Sequence, residues 1–177
     1  MTSSKNILSL IQEQNIEYVD FRFTDTLGVW HHVSFHTSCV DDEILEKGVM
    51  FDGSSIPGWK GIEDSDMLMH PDLSTAVMDP FTAHPTLNLI CDVIEPMTGE
   101  GYRRDPRSLA KRAEKYVIES GIADTAYFGP EPEFFIFDDV RYGVEMNKGF
   151  YFLDSSEGPY NSGREEANGN LGFRTDV

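Results

Sequence analysis

Glu131 and Glu133 are the residues best placed to do chemistry. They lie two apart in Gly129-Pro130-Glu131-Pro132-Glu133, ahead of the apolar stretch Phe134-Phe135-Ile136-Phe137. Read as a strand, this segment points residues i and i+2 to one face. The two carboxylates then project side by side, with α-carbons roughly 6–7 Å apart. Like charges that close to a hydrophobic core are costly unless a cation neutralises them. Mg²⁺ and Mn²⁺ take carboxylate oxygens, and such ions bind and orient phosphate groups. The plainer alternative is a strand whose polar face is simply wet. Pro130 and Pro132 stiffen the backbone and remove two ladder donors, which suits a strand entrance at a cleft.

The second signal is Phe51-Asp52-Gly53-Ser54-Ser55, a tight turn with exposed oxygens. Alone it reads as an ordinary Asx or serine turn. Ile56-Pro57-Gly58-Trp59 follows and puts an aromatic residue on a loop, either as a lid or interface or tucked into its own core. Asp64-Ser65-Asp66 then caps an apolar strand. His31 and His32 are neighbours in a strand, face opposite sides and cannot both ligate one ion. His36, His70 and His84 stand alone. Tyr102-Arg103-Arg104 could contact an anion, although linker arginines usually face solvent. Neither a dinucleotide-binding glycine fingerprint nor a Walker pattern occurs.

The elements that must position these groups are legible from periodicity. Ile7, Leu8 and Ile11 share a face after Ser3 and Ser4, which predicts a short capped helix. Residues 18–24 alternate, with Val19, Phe21 and Phe23 opposite Asp20 and Arg22. A turn at 25–28 and a second alternating run over 29–35 make a β-hairpin. Residues 41–47 form a short helix stopped by Gly48. Residues 67–70, 75–78 and 87–93 read as strands, so the first hundred residues form an α+β domain with a mostly antiparallel sheet. A linker covers 95–104. Asp105 and Pro106 start a helix that runs to Gly121, and residues 125–128 and 133–137 read as strands. Residues 139–170 read as a long polar loop.

The chain has 177 residues, and 40% hydrophobic content is enough for a real core. A net charge of −17 argues against nucleic acid and against an anionic membrane surface. Cys39 and Cys91 show no zinc spacing and read as reduced core thiols of a cytosolic protein. Met1-Thr2-Ser3-Ser4-Lys5 lacks an apolar signal core, and no stretch approaches a membrane span.

Taken together, the motifs resemble a known family. Phe51-Asp52-Gly53-Ser54-Ser55, followed by Asp64-Ser65-Asp66 and Met69, resembles the N-terminal signature of glutamine synthetase. The run Gly129 to Asp138 resembles the start of that family's catalytic domain. Tyr18 to Asp25 and Met78-Asp79-Pro80-Phe81 are similar to further family segments, and the resemblance runs through nearly all of residues 5–177 in the family's order. The loop Glu157-Gly158-Pro159-Tyr160-Asn161-Ser162 resembles the extended bacterial type I form with its β-subtype insertion.

The resemblance implies an α+β fold: a small β-grasp-like N-terminal domain over 1–102, then the truncated start of an α+β catalytic domain over 103–177. It implies a cytoplasmic glutamate–ammonia ligase that uses ATP as substrate and passes through γ-glutamyl phosphate. Glu131 and Glu133 correspond to ligands of the Mg²⁺ or Mn²⁺ ions. Asp52 corresponds to the carboxylate that binds ammonium and takes its proton, with Ser55 as a polar partner, both acting across a subunit interface, and Trp59 lines that shared site. The expected partners are glutamate, ammonium, ATP and further copies of the chain in a double-ring dodecamer. Family members are much longer and most ATP ligands fall beyond Val177, so the chain reads as an N-terminal fragment that is inactive alone. Two other readings remain open: a related γ-glutamyl ligase acting on an amine or polyamine, and a non-catalytic stub acting on synthetase oligomers.

Overall fold

The computed structural model describes residues 3–164, in two compact units that divide between Ala126 and Tyr127. The first unit opens with α1 (Ser4–Glu13), capped by Ser3, whose hydroxyl accepts from the Asn6 amide. Ile7 and Ile11, four apart, are its buried stripe. The expected hairpin forms from β1 (Tyr18–Thr24) and β2 (Trp30–His36), antiparallel with Phe21 opposite Val33. Buried Asp25 closes its turn: Oδ1 accepts from the amides of Leu27 (2.8 Å) and Val29 (2.9 Å), and Oδ2 accepts from His31 Nε2 (2.8 Å). Helix α2 (Asp42–Lys47) is capped by Asp41 and ends at Gly48, whose φ of 89° is the left-handed conformation that stops a helix.

The rest of the sheet is β3 (Val49–Asp52), β4 (Asp66–Pro71), β5 (Val77–Met78) and β6 (Thr86–Ile94). Its order is β2-β1-β6-β4-β3, with β5 also paired to β6. Every pairing is antiparallel except β1 with β6. One face is the core, where Val19, Phe21, Phe23, Met67, Met69, Leu87, Leu89 and Val93 meet Ile7 and Ile11 of α1 and Leu45 of α2.

The alternate residues of β1 carry charge. Asp20, buried in the sheet, accepts from Arg22 Nε (2.6 Å), His32 Nδ1 (2.7 Å) and Ser34 Oγ (2.7 Å). Arg22 also donates to Asp79 (2.8 Å), which takes further bonds from Asn88 (3.0 Å) and the Phe81 amide (2.9 Å). The Asn88 side chain, the Phe81 amide and Arg22 together bring the Asp79 carboxyl down to about 2. Burial pushes the Asp20 carboxyl up, but the bonds from Ser34, Arg22 and His32 outweigh it and hold the group below its usual range. His31 and His32 pair with different carboxylates, as their opposite orientations require.

After β6 the chain makes a turn in which the Glu95 amide bonds Glu100 O (2.9 Å), and it returns with the Tyr102 amide on Val93 O (2.7 Å). Helix α3 (Pro106–Glu119) then starts as its sequence predicts, with Asp105 as cap and Pro106 in the first turn. Asp105 is fully buried and accepts from the amides of Ser108 (2.9 Å), Arg107 (3.2 Å) and Val93 (3.3 Å) and from Ser108 Oγ (2.6 Å). It therefore joins the helix start to the central strand.

Two expectations for the second unit are corrected. Residues 139–154 are not part of a long polar loop: β7 (Asp139–Val144) and β8 (Gly149–Asp154) form a hairpin in which Tyr142 faces Tyr151. Residues 125–128 and 133–137 are not strands. A strand needs a ladder partner, and in this hairpin β7 and β8 pair with each other. Phe134, Phe135 and Ile136 are exposed. Cys91 is a core residue whose burial pushes its thiol up to about 12, whereas Cys39, expected in the core, is exposed.

Replacing Asp105 by alanine removes the cap and leaves the Val93 and Ser108 donors without their acceptor. The expected loss is about 1–3 kcal/mol, read as a lower urea midpoint at unchanged m-value. An unmoved midpoint would contradict this account of the junction.

Candidate active site

Asp52 ends β3 and begins a short 3₁₀ turn, Gly53–Ser55. Its Oδ1 accepts from both the amide (2.8 Å) and the hydroxyl (2.6 Å) of Ser54. The hydroxyl bond first and the amide bond second hold the Asp52 carboxyl below its ordinary range, and Ser65 adds to the effect. The group is exposed, so it stands at the surface as a stable anion. Ser55 is exposed in the same turn.

The turn is fixed from below. The Gly53 amide bonds Ser65 O (2.7 Å), and a β-carbon at Gly53 would be driven into the side chain of buried Met67. In the β3–β4 ladder Asp52 lies opposite Asp66, also exposed. Like charges directly opposite repel, so this corner of the sheet favours a cation. Residue order alone assigns Asp66 only a capping role, because β3 is four residues long and merges with a stretch rich in Gly, Ser and Pro. The pairing that faces the two aspartates is a product of tertiary structure.

Trp59 is corrected from a lid or site-lining residue to a core residue. Its side chain is buried with that of Ile56, and its ring lies 5.5 Å from Phe23 and 5.0 Å from Tyr102. Lys60 bonds both Asp64 and Glu95 at 2.9 Å. The loop between β3 and β4 is thereby held against the first unit and leaves the Asp52 turn at the surface.

Glu131 and Glu133 belong to the second unit and are exposed, in a segment that joins no ladder. Phe135 and Phe137 stack with ring centroids 6.1 Å apart, so side chains two residues apart do share a side here. Phe134, Phe135, Ile136 and Phe137 line a cavity of about 390 Å³ with Ser155, Glu157, Gly158, Pro159 and Tyr160. Among the described residues no group of three or more His, Cys, Asp or Glu side chains converges on a metal-sized site. No helix among them is long and apolar enough to cross a membrane.

Comparison with known proteins decides the family. A model described as the glutamine synthetase β-grasp domain matches residues 15–96, and one described as the glutamine synthetase catalytic domain matches residues 103–174. The chain belongs to the glutamine synthetase family. It is 56% identical over 177 residues to a glutamine synthetase of Azospirillum brasilense, covering 100% of this chain and 38% of that protein. It is also 56% identical over 172 residues to a 3-hydroxylaminophenol mutase of Cupriavidus pinatubonensis, covering 97% and 36%. A solved glutamine synthetase of Plasmodium falciparum superposes with a TM-score of 0.65 at 26% identity, over 89% of this chain and 30% of that one. The chain thus spans a little over a third of the length of the curated relatives it matches, and residues 15–96, within its first unit, are the family's β-grasp domain.

The Ser54 hydroxyl favours the charged form of Asp52, so Ser54→Ala should move the Asp52 carboxyl upward toward the ordinary aspartate value. A carbon-13 NMR titration of that carboxyl reads the change, and an unshifted midpoint would remove Ser54 from the role.

Proposed function

We propose that the chain is part of an ATP-dependent glutamate–ammonia ligase that makes glutamine through γ-glutamyl phosphate. The observation that carries this reading is the Asp52 turn, an exposed carboxylate kept ionised by Ser54 on a backbone that only glycine can form without displacing Met67. A carboxylate is a poor acyl donor, and phosphorylation turns the glutamate side chain into an electrophile. Ammonium has no lone pair. Asp52 first binds the cation as a counter-charge and then takes one proton, leaving ammonia. The nitrogen lone pair bonds to the acyl carbon, the carbon–oxygen bond to phosphate breaks, and the proton that the nitrogen sheds in becoming an amide leaves on inorganic phosphate. Ser55, in the same turn, acts as a polar partner for ammonium.

Glu131 and Glu133 suit Mg²⁺ or Mn²⁺ by donor chemistry, being two exposed carboxylates with hard oxygen atoms. When bound, such ions gather the negative charge of a transferring phosphoryl group.

The further assignments are proposals of the same kind. Residues 1–102 form the β-grasp-like domain and 103–177 begin the catalytic domain, a division supported by the gap between the two family matches. The exposed Asp52 turn completes a neighbouring subunit's site in a double-ring dodecamer. The enzyme works in the cytoplasm, a setting that suits two free thiols.

In the complete enzyme, Asp52→Asn should cut turnover with ammonium by about 10²-fold or more while the KM for ATP stays in place; full turnover would strike Asp52 from the mechanism. Because one similar relative bears the name 3-hydroxylaminophenol mutase, that compound and a set of amines run beside ammonium. Conversion of one of them without glutamine formation would decide for a different acceptor or reaction. For Glu131→Ala, activity should need more Mn²⁺, and an unaltered titration counts against ligation.

A further inference from the structure

The loop that carries Asp52 is pinned by the segment that follows β6. Two consecutive carbonyls in the middle of this loop, those of Gly58 and Trp59, receive side-chain donors from residues more than forty positions away. Buried Tyr102 donates its hydroxyl to Trp59 O at 3.0 Å. Arg104 donates to Gly58 O and, at 3.3 Å, to Trp59 O. Tyr102 is itself anchored twice, by its amide on Val93 O of the central strand and by its ring against Trp59. Gly101 permits the close passage, since a β-carbon there would sit 2.6 Å from Ser108 Oγ at the start of α3.

From Trp59 a chain of backbone bonds leads to the carboxylate. The Trp59 amide bonds Ile56 O (3.1 Å), the Ile56 amide bonds Gly53 O (3.2 Å), and Gly53 sits beside Asp52. No strand ladder supports the loop between β3 and β4, so side-chain anchors stand in place of one: these donors, together with the Lys60 bonds to Asp64 and Glu95. We propose that Tyr102, assisted by Arg104, is a positioning residue: it fixes the Gly58–Trp59 backbone and through it the attitude of the Asp52 turn toward the incoming cation. The proposal rests on the reading of Asp52 as the ammonium-binding group. Burial, ahead of the other influences, raises the Tyr102 phenol above its usual range, so the hydroxyl keeps its proton and remains a donor.

Tyr102→Phe keeps the ring packing and deletes one bond, so it separates positioning from folding. In the complete enzyme the KM for ammonium should rise about 3- to 10-fold, with the KM for ATP and the melting temperature held. Hydrogen exchange followed by mass spectrometry should show peptides covering 53–65 exchanging faster, while those covering 18–24 do not change. An unchanged KM for ammonium, an equal rise in both KM values, or unchanged exchange over 53–65 would overturn the proposal. If Asp52→Asn impairs ammonium use and Tyr102→Phe does not, the inference fails alone. If Asp52→Asn leaves ammonium use intact, the functional reading fails, and the exchange experiment still tells whether Tyr102 holds the loop.

Discussion

Strand β6 is bonded along both edges. On one side it runs parallel to β1, from Thr86 opposite Tyr18 to Ile90 opposite Arg22. On the other it takes β5 at Leu87 and Asn88, then β4 from Cys91 to Ile94. A parallel pair cannot be closed by a tight turn, so β2, α2, β3, β4 and β5 all fall within the connection from β1 to β6. Closing that long loop has an entropy cost that grows only slowly with length. Complete burial of Val19, Phe21, Leu87 and Leu89 offsets it, at roughly 1.5–3 kcal/mol for each large apolar side chain. The corner that presents Asp52 opposite Asp66 exists only because β4 is already fastened to this spine.

The register of that spine is guarded from its charged face. Asp20 takes three side-chain donors and Arg22 is shared between two carboxylates. A slip of one residue would turn the aspartate into the hydrophobic core and phenylalanine into the charged network. Such a network costs desolvation and is stable only when its members are satisfied. Its main contribution is therefore to choose one pairing among several that similar hydrophobic content would allow. The same choice fixes where β6 ends, and hence where Tyr102 meets the loop above it.

Much of the first unit was legible in the amino-acid order because its signals are local. Alternation in 18–24, the Asp41 and Asp105 caps and the glycines at 28 and 48 each act within a few residues. What escaped reading depends on partners distant in the chain. Strand β3 has four residues and shows itself only when β4 lies beside it. Trp59 sits in a stretch full of turn formers, yet it is claimed by Phe23 of β1 and by Tyr102 in the segment after β6. The hairpin of β7 and β8 is masked by the polar stretches on either side of it, although Val140, Tyr142 and Val144 alternate and Phe150 to Leu153 form an apolar run. The converse holds at 133–137, where apolar content suggests a strand and no ladder forms. Glu131 and Glu133 were conspicuous from spacing alone, whereas the opposition of Asp66 to Asp52 had no signal in the order of residues.

The two cysteines differ in reach as well as in burial. Cys39 stands exposed just past β2, while Cys91 lies within the central strand with its thiol held far from ionisation. A maleimide therefore meets one nucleophile in the folded chain and two once the sheet opens. Uptake of the second equivalent becomes a clock for separation of the strands, built into the molecule without any added label.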